Sequence, residues 1–519
     1  MTSSETSDPS MALPTKGPPE DKEFSALPTA RKIILLIILC LAQFLDTFAI
    51  SALFAAIPQI SVQLGISDGD SVWLISGYQL TFASLMLGGG RLSDLYNPKY
   101  NFLAGAAILA VFSLAGGFVR KQIPLFILRA LMGIGAAVNV PSALYIIIHL
   151  FPDPTSQAKA VALFGICGAL GNVIGLVIGA FIVNWATWPW IFYMFAIFGA
   201  VLFTGVLILC PSPKGAPLSA LDKAKRFKRL DMIGVFLMAA GLILFIFGVT
   251  SGSTSGWDSA RCLAPFLISF IFLIGFFFWE ARIPEEMAAI PPSLWRVENF
   301  AIIAGCATMP IMWWATVQLL YSWIWQNVYG WSPIMTAVRF LPLGVLGFIM
   351  SPLTTSLQQR FSNKWILLVG HLLAIIGTAL FPFGDSPQHY WRFVFVGFCI
   401  GTTGVLIVYT IVSIDIFAVT SPEQAGVVGS IFNCFLQLGS AAGSAIATSI
   451  QTSVDKTHGG PTSWTGRKAA FWFLFALLVI ETVCVFVFMH DTLPRPKPRI
   501  EEELTDIPEK EHTDKLEKA

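Results

Sequence analysis

The nine residues RALMGIGAA, Arg129–Ala137, lie in the middle of an apolar run that extends from residue 123 to residue 148. The hydrocarbon core of a bilayer is about 30 Å thick, and a helix of about 20 apolar residues spans it. The run is therefore long enough to cross a membrane. It predicts a transmembrane helix that carries an arginine and a group of small residues inside the apolar layer.

Runs of similar length recur along the whole chain. Of its 519 residues, 55% are hydrophobic and only 12% are charged, and the mean hydropathy is +0.72. Soluble domains carry about 25% charged residues, so the composition predicts a protein embedded in the lipid bilayer. The predicted spans lie near 33–57, 72–90, 101–119, 123–148, 160–183, 190–210, 231–250, 263–281, 299–321, 333–354, 365–383, 391–414, 425–449 and 469–489.

Lysine and arginine are concentrated in alternate loops. The largest basic groups lie in the loop 211–230 and in the segment after His490. Cytoplasmic loops carry an excess of these residues, so we expect both termini on the cytoplasmic side of a multi-pass protein. We interpret the basic runs as topology anchors, with partner sites as the alternative.

Several functional classes are excluded. The net charge is +1, and nucleic-acid binding needs a concentrated basic face, so we expect no nucleic-acid partner. The chain contains no phosphate-binding loop, no HExxH and no GxSxG motif, and no extramembrane segment long enough for a catalytic domain. We therefore expect no enzyme and no cofactor. The cysteines show no metal-ligand spacing and His371 and His490 are isolated, so no metal site is expected either.

Asp46, in LAQFLDTFAI, is the first candidate functional residue. An ionised carboxylate inside a membrane is costly unless it faces water or a partner, so such residues commonly have a function. At 1.5 Å per residue, Asp46 lies about 20 Å from the cytoplasmic face, and Arg129 reaches a similar depth. We predict that the two share a cavity in which Asp46 binds a proton. A permanently neutral, hydrogen-bonded acid is the alternative.

Other polar and aromatic residues at membrane depth are candidates for a substrate cavity. Glu481 is a second candidate for proton coupling, and pairing within the bundle is its alternative. Amides at this depth also hold helices together, and Arg339 has the alternative of reaching the membrane surface. The predicted cavity residues are Gln43, Gln79, Asn139, Asn172, Trp313, Trp314, Gln318, Arg339, Asn433 and Gln437.

Glycines mark a packing face on the fifth predicted helix. In GICGALGNVIGLVIGA, Gly171, Gly175 and Gly179 recur every four residues and share one side of the helix. Small residues at this spacing allow another backbone to approach closely. They predict a helix-packing stripe.

Four stretches together resemble the signature motifs of a known family. They are RALMGIGAA at 129–137, GRLSDLYNPKY at 90–100, LDTFAISALFAAIP at 45–58 and TWPWIFY at 187–193. The chain resembles the major facilitator superfamily, and within it the fourteen-helix drug:proton antiporters of fungi, from about residue 31 to residue 491. In the loop motif, Asn97 and Pro98 replace a glycine and an arginine. In the fifth-helix antiporter motif, Leu176 and Ala180 replace a proline and a glycine.

The resemblance implies an all-α polytopic fold of 14 transmembrane helices in two six-helix bundles. The implied divisions are a disordered tail at 1–30, a first bundle at 31–210, a basic loop at 211–230, two inserted helices at 231–282, a second bundle at 283–490 and a tail at 491–519. It also implies a cytoplasmic gate at Gly90, Asp94 and Lys99. There Asp94 would face the start of the thirteenth helix at 421–426.

The leading functional hypothesis is a proton-coupled exporter of small, mostly apolar organic molecules, such as drugs, toxins or a fungal secondary metabolite. The partial fifth-helix motif leaves an importer or facilitator of a small polar nutrient as an alternative, and a non-transporting ligand sensor of the same fold is a third. We expect a monomer in the cell membrane, with the vacuolar membrane as the alternative. Cavities of broad specificity differ in shape more than in motif, so the sequence does not name the substrate.

Overall fold

The computed structural model describes the chain at residues 27–211, 230–284, 288, 290–358, 360–420 and 425–491. Within these ranges the regular elements are all helices. Most of the two predicted tails and of the basic loop 211–230 lies outside the described residues.

Each predicted span coincides with one long helix in the described residues. The helices, numbered in chain order, are α1 Thr29–Leu64, α2 Trp73–Leu95, α3 Pro98–Phe118, α4 Gln122–Leu150, α5 Pro154–Trp185, α6 Pro189–Leu209, α7 Met232–Ser255, α8 Ala260–Glu280, α9 Thr308–Asn327, α10 Pro333–Gln358, α11 Asn363–Leu380, α12 Phe395–Ala418, α13 Ala425–Thr457 and α14 Thr465–Phe488. A short helix, Phe300–Cys306, directly precedes α9.

Twelve of the described helical segments are long and apolar enough to cross a membrane. The two that fall short are α2, whose last turns contain the polar residues of GRLSDL, and α10, of which Pro333–Gly347 is a shorter apolar segment. The all-helical polytopic fold is confirmed, whereas the count of fourteen membrane spans stays a prediction.

The polar stretch at residues 90–100 is the turn between α2 and α3. The Asn97 side chain accepts a hydrogen bond from the Lys99 backbone N–H at 3.0 Å, and Pro98 is the first residue of α3. A side-chain acceptor at the cap followed by proline is a favoured way to begin a helix. The two departures from the family motif therefore form the start of α3.

The helices pack as two groups that meet mainly along three helix pairs. Within the first group, α1 packs on α5, α2 on α4, and α3 on α4 and α6; within the second, α9 packs on α13, α10 on α12, and α11 on α12 and α14. The groups, which we name the first bundle (α1–α6) and the second bundle (α9–α14), touch mainly through α2–α13, α5–α10 and α1–α9. Helices α7 and α8 pack on each other, and α7 also contacts α13 and α2.

The glycine stripe of α5 faces α1 at very short range. A Cβ atom added to Gly171 would lie 2.3 Å from the Phe44 carbonyl oxygen, and one added to Gly179 would lie 2.4 Å from the Ala52 carbonyl oxygen. At Gly175 the nearest atom, Phe48 Cα, would be 3.0 Å away. The two backbones therefore approach as closely as they do because these positions have no side chain.

We expect Gly171→Ala to destabilise the protein, because the new methyl group meets backbone rather than a movable side chain. The cost is about 1–3 kcal/mol, as for other overpacked cores. A lower apparent melting temperature of the purified protein in detergent is the measurement.

Gly165→Ala on the same helix is the matched control, because no atom of the described residues lies within 4 Å of its added Cβ. Alanine is favoured over glycine in a helix by about 1 kcal/mol, so this variant should be neutral or slightly more stable. Equal melting temperatures for the two variants would contradict the packing argument.

Candidate functional site

The contact between α2 and α4 positions the buried arginine. A Cβ atom on Gly133 would lie 2.2 Å from the Tyr78 carbonyl oxygen, so the two helices meet backbone to backbone at that point. One turn earlier on α4, Arg129 Nε donates a hydrogen bond of 2.8 Å to the Leu74 carbonyl. The guanidinium lies 4.6 Å from the centre of the Tyr78 ring. The small residues of RALMGIGAA thus place the cation directly on the face of a tyrosine.

Tyr78 also links the arginine to the predicted acid on α1. Its hydroxyl donates a hydrogen bond to Asp46 Oδ1. Asp46, Tyr78 and Arg129 are all buried, and Asp46 is 3% exposed. The two ionisable groups predicted from the sequence therefore contact the same phenol, Asp46 at its hydroxyl and Arg129 at its ring face. We name Asp46, Tyr78 and Arg129 the proton triad.

Two effects act on the charge of the Asp46 carboxylate in opposite directions. Burial disfavours the charged form of a carboxylate, whereas a nearby guanidinium and a hydroxyl donor favour it. Arg129 has further capacity to bind an acceptor, because Nη1 and Nη2 make no hydrogen bond among the described residues. Buried polar groups normally have partners. Such a group is suited to exchanging a proton or a polar ligand.

Next to the proton triad, polar side chains join α2 to α13 across the two bundles. The Ser440 hydroxyl donates a hydrogen bond to Gln79 Oε1 at 2.8 Å, and the Ser76 and Ser444 hydroxyls lie 3.3 Å apart. We name these four residues the hydroxyl seam. Gln79, predicted from the sequence to line a cavity, lies in this contact.

Two hollows lie between the bundles, at opposite ends of the helices. The larger, the outer cleft, measures about 390 Å³ and lies on the predicted extracellular face; it is lined by Pro58, Gln59, Val62, Gln63, Val183, Asn184, Gln326, Asn327, Trp331 and Pro333. The smaller, the inner cavity, measures about 80 Å³ and is lined mainly by α2, α4 and α13. Small-molecule sites measure about 300–1,000 Å³, so the outer cleft is large enough for a small ligand and the inner cavity is not.

The remaining predicted amides occupy several different surroundings. Gln43 lies against Gly168 of α5, and Asn139 packs on Gly105 of α3. Asn433 lines the inner cavity and donates a hydrogen bond to its own helix at the Gly429 carbonyl. Gln318 and Gln437 are buried, and Asn172 is half-buried.

The two tryptophans of α9 differ in their surroundings. Trp313 is fully buried inside the second bundle, where its indole N–H donates a hydrogen bond of 2.7 Å to Thr378 Oγ1 and its ring lies 5.7 Å from that of Phe381. Trp314 is half-buried, and its indole nitrogen has no hydrogen-bond partner among the described residues. Trp313 therefore packs α9 against α11, and Trp314 is the one with an available donor.

Arg339 and Glu481 lie apart from the proton triad. The Arg339 guanidinium is held against two rings, 4.3 Å from the centre of Trp331 and 4.0 Å from that of Tyr390. Glu481 lies in the second bundle, with a carboxylate oxygen 3.7 Å from His371 Nε2. Their predicted roles in substrate binding and proton coupling stay predictions.

The predicted gate residues separate into two places. A Cβ atom on Gly90 would lie 2.8 Å from Ser430 Oγ, so Gly90 allows α2 and α13 to touch at the inner cavity. The Lys99 ammonium instead donates a hydrogen bond of 2.6 Å to the Cys210 carbonyl at the end of α6, within the first bundle. The Asp94 side chain and residues 421–424 lie outside the described residues.

Sequence reasoning missed Tyr78, the central member of the proton triad. Its signal was weak, because a tyrosine in an apolar run is consistent with simple burial. The useful clue is that Tyr78 lies against the glycine-rich motif on α4. This contact becomes visible only once the two helices are placed side by side.

Two helical bundles meet mainly along three helix pairs, with buried ionisable groups beside the contact and a cleft between the bundles. This arrangement is typical of polytopic membrane transporters. The family model of the Major Facilitator Superfamily matches residues 39–444. The chain belongs to this superfamily, and the resemblance seen in the motifs is confirmed.

Similar proteins extend over nearly the whole chain. The Major facilitator superfamily multidrug transporter mfsC of Aspergillus fumigatus is 28% identical, and the match covers 91% of this chain and 89% of that protein. The Low affinity ammonium transporter of Saccharomyces cerevisiae is 25% identical, with 90% of each chain covered. A bacterial homologue of the human lysosomal transporter Spinster, solved in an inward-facing and occupied conformation, shares the fold with a TM-score of 0.60 and 16% identity, over 89% of this chain and 97% of that one.

We expect Gly90→Val to separate α2 from α13 at the inner cavity, because its side chain would overlap Ser430. The measurement is the labelling rate of a cysteine introduced at Met86, which lines that cavity and is buried. A membrane-impermeant thiol reagent applied from the predicted cytoplasmic face should label it faster in the valine variant.

The double variant Gly90→Val with Ser430→Gly removes the overlap and should return labelling toward its original rate. Unchanged labelling in the single variant would show that the α2–α13 contact does not close this face.

Proposed function

We propose that the chain exports small, mostly apolar organic molecules in exchange for protons, and that Asp46 in the proton triad binds the proton. The observation that carries the proposal is the buried Asp46 bonded to Tyr78, whose ring lies against the Arg129 guanidinium. Tyr78, the partner of Asp46, directly precedes Gln79, which makes an inter-bundle contact on α2, so the acid is well placed to respond when the bundles move.

The exchange follows from the charge of Asp46. When Asp46 is ionised, its negative charge favours a cationic ligand or a proton, and when it is protonated, that attraction is lost. Protonation from the outer cleft would therefore release a bound ligand to that side. Deprotonation toward the cytoplasm would restore the attraction, and Arg129 would keep the carboxylate from holding its proton too tightly.

The relative from Aspergillus fumigatus supports export, because its name is that of a multidrug transporter and it matches this chain over most of its length. The outer cleft supports a ligand of small organic size. We further propose that the protein acts as a monomer in the plasma membrane with both termini in the cytoplasm, in accordance with the positive-inside distribution of its basic loops.

Import of a small polar cation is the second candidate function. The yeast relative named as a low affinity ammonium transporter supports it, since that protein matches this chain as extensively as the multidrug transporter does. The polar lining of the outer cleft, including Gln59, Gln63, Asn184 and Gln326, also suits a small cation.

We expect Asp46→Asn to abolish proton-driven transport, because the amide has nearly the same shape as the acid but cannot exchange a proton. The measurement is accumulation of the dye rhodamine 6G in inside-out vesicles with an imposed proton gradient. Accumulation should fall to the level seen without a gradient, and accumulation at the original rate would contradict the assignment.

Two further variants sharpen this test. Asp455→Asn changes another buried carboxylate, near the far end of α13, which accepts a hydrogen bond from the Gly466 backbone, and it should keep gradient-driven accumulation. Tyr78→Phe removes only the hydroxyl that bonds to Asp46. It should shift the pH at which transport is half-maximal while leaving the protein folded.

The direction of transport separates the two candidate functions. In a yeast strain lacking its own drug exporters, the chain should lower intracellular rhodamine 6G, and a proton uncoupler should abolish this effect. Increased uptake of radiolabelled methylammonium, with no effect on the dye, would instead support import.

A further inference from the structure

Three side chains that commonly bind metals meet inside the second bundle, away from the proton triad. Cys306 ends the short helix before α9, His371 is on α11 and Glu481 is on α14. One ligand atom of each lies within 4.8 Å of the other two, and His371 Nε2 lies 3.7 Å from Glu481 Oε2. Cys306 and His371 are buried, and the Glu481 side chain is 13% exposed.

The imidazole of His371 is oriented as a ligand. Its Nδ1 lies 2.8 Å from the Leu367 carbonyl oxygen, and a carbonyl only accepts, so Nδ1 carries the hydrogen and donates. In the neutral imidazole, Nε2 then carries a lone pair and faces the Glu481 carboxylate. Metal-binding histidines characteristically donate their other N–H to a carbonyl or a carboxylate in this way.

His371 Nε2 lacks a hydrogen-bond partner among the described residues, and so do both carboxylate oxygens of Glu481. His371 is 0% exposed, so water does not reach it from the surface. A nitrogen lone pair and a carboxylate that face each other need a positive species between them, which a proton or a metal ion can supply. The Cys306 thiol beside this pair favours the metal ion, because it adds a third metal ligand within 4.8 Å.

The donor set selects the kind of cation. A thiolate, an imidazole and a carboxylate are the ligands of Zn²⁺ in proteins, at about 2.0–2.3 Å from the ion. Ligands at those lengths around a tetrahedral ion lie about 3.4–3.6 Å from each other. The nitrogen–oxygen distance of 3.7 Å is already near that value. The Cys306 sulfur lies within 4.8 Å of the other two ligand atoms, so it would move inward by about 1.2–1.4 Å at most.

The charge also balances. A Zn²⁺ ion bound by one thiolate, one carboxylate and a neutral imidazole has no net charge. A neutral site is the kind that an apolar bundle interior tolerates, since an isolated charge there is costly. Ca²⁺ and Mg²⁺ prefer sites made only of oxygen ligands, so the cysteine and the histidine disfavour them.

We propose that Cys306, His371 and Glu481 bind one Zn²⁺ ion, with a fourth position left for water. The ion ties the short helix before α9 to α11 and α14. It stabilises the second bundle as one body. The site is independent of the proton triad, which lies in the first bundle.

The test uses purified full-length protein in detergent, stripped with a chelator and titrated with Co²⁺ as a spectroscopic probe for zinc. The intact protein should bind one Co²⁺ with a thiolate-to-cobalt charge-transfer band, and Zn²⁺ should displace it. Cys306→Ser should lose the band. His371→Gln and Glu481→Gln should weaken binding by about tenfold or more, since even outer-shell changes cost 10–100-fold.

Cys434→Ser is the matched control, because Cys434 is also buried in the second bundle but lies outside the cluster. It should keep both the band and the affinity. A second measurement guards against misfolded variants: Zn²⁺ should raise the melting temperature of the intact protein and of Cys434→Ser, but not of Glu481→Gln, which keeps the shape of the side chain.

Two results would overturn the proposal. One is the absence of a charge-transfer band and of any zinc-induced stabilisation in the intact protein. The other is unchanged metal binding when all three residues are replaced. Neither readout depends on transport, so failure here would leave the proposed export function untouched, and loss of export in Asp46→Asn would leave this site untouched.

Discussion

The backbone contact between α2 and α4 is the constraint on which the rest of the site depends. Gly133 lies against the Tyr78 carbonyl at a distance that no other residue would allow. That contact brings the Arg129 guanidinium onto the Tyr78 ring and holds Nε on the Leu74 carbonyl. With Tyr78 fixed from one side, its hydroxyl is directed at Asp46 on α1. The absence of a side chain at Gly133 thus fixes the position of the Arg129 guanidinium.

Close contacts at glycine also hold α1 against α5 in the first bundle. The α5 stripe packs on α1 through Gly171 and Gly179, so α1 is held on the side opposite to the tyrosine. Inside a bilayer, helix association relies on close packing and on polar contacts, because lipid is as apolar as the side chains. Close packing here fixes the helices, and the polar groups they carry then find partners across helices instead of water.

Much of the fold could be predicted from the sequence, because the thickness of the bilayer imposes a length on each apolar run. The run at 123–148 became α4 at Gln122–Leu150, and the polar stretch at 90–100 became the turn before α3. The site was less predictable, because it depends on which helix faces which. Tyr78 looked like an ordinary buried aromatic, Lys99 bonded to the end of α6 at Cys210, and His371 appeared isolated although Glu481 lies 3.7 Å away in space.

The hydroxyl seam between α2 and α13 has a consequence for how the bundles move. Serine hydroxyls both donate and accept, and they rotate freely about one bond. Ser444, which lies 3.3 Å from Ser76, also donates to the Ser440 carbonyl of its own helix at 2.7 Å. When the bundles slide past each other, the Ser444 hydroxyl has a second acceptor within reach on its own helix. Rocking of the bundles can therefore exchange one hydrogen bond of Ser444 for another, and this hydroxyl keeps a partner in the dry interior.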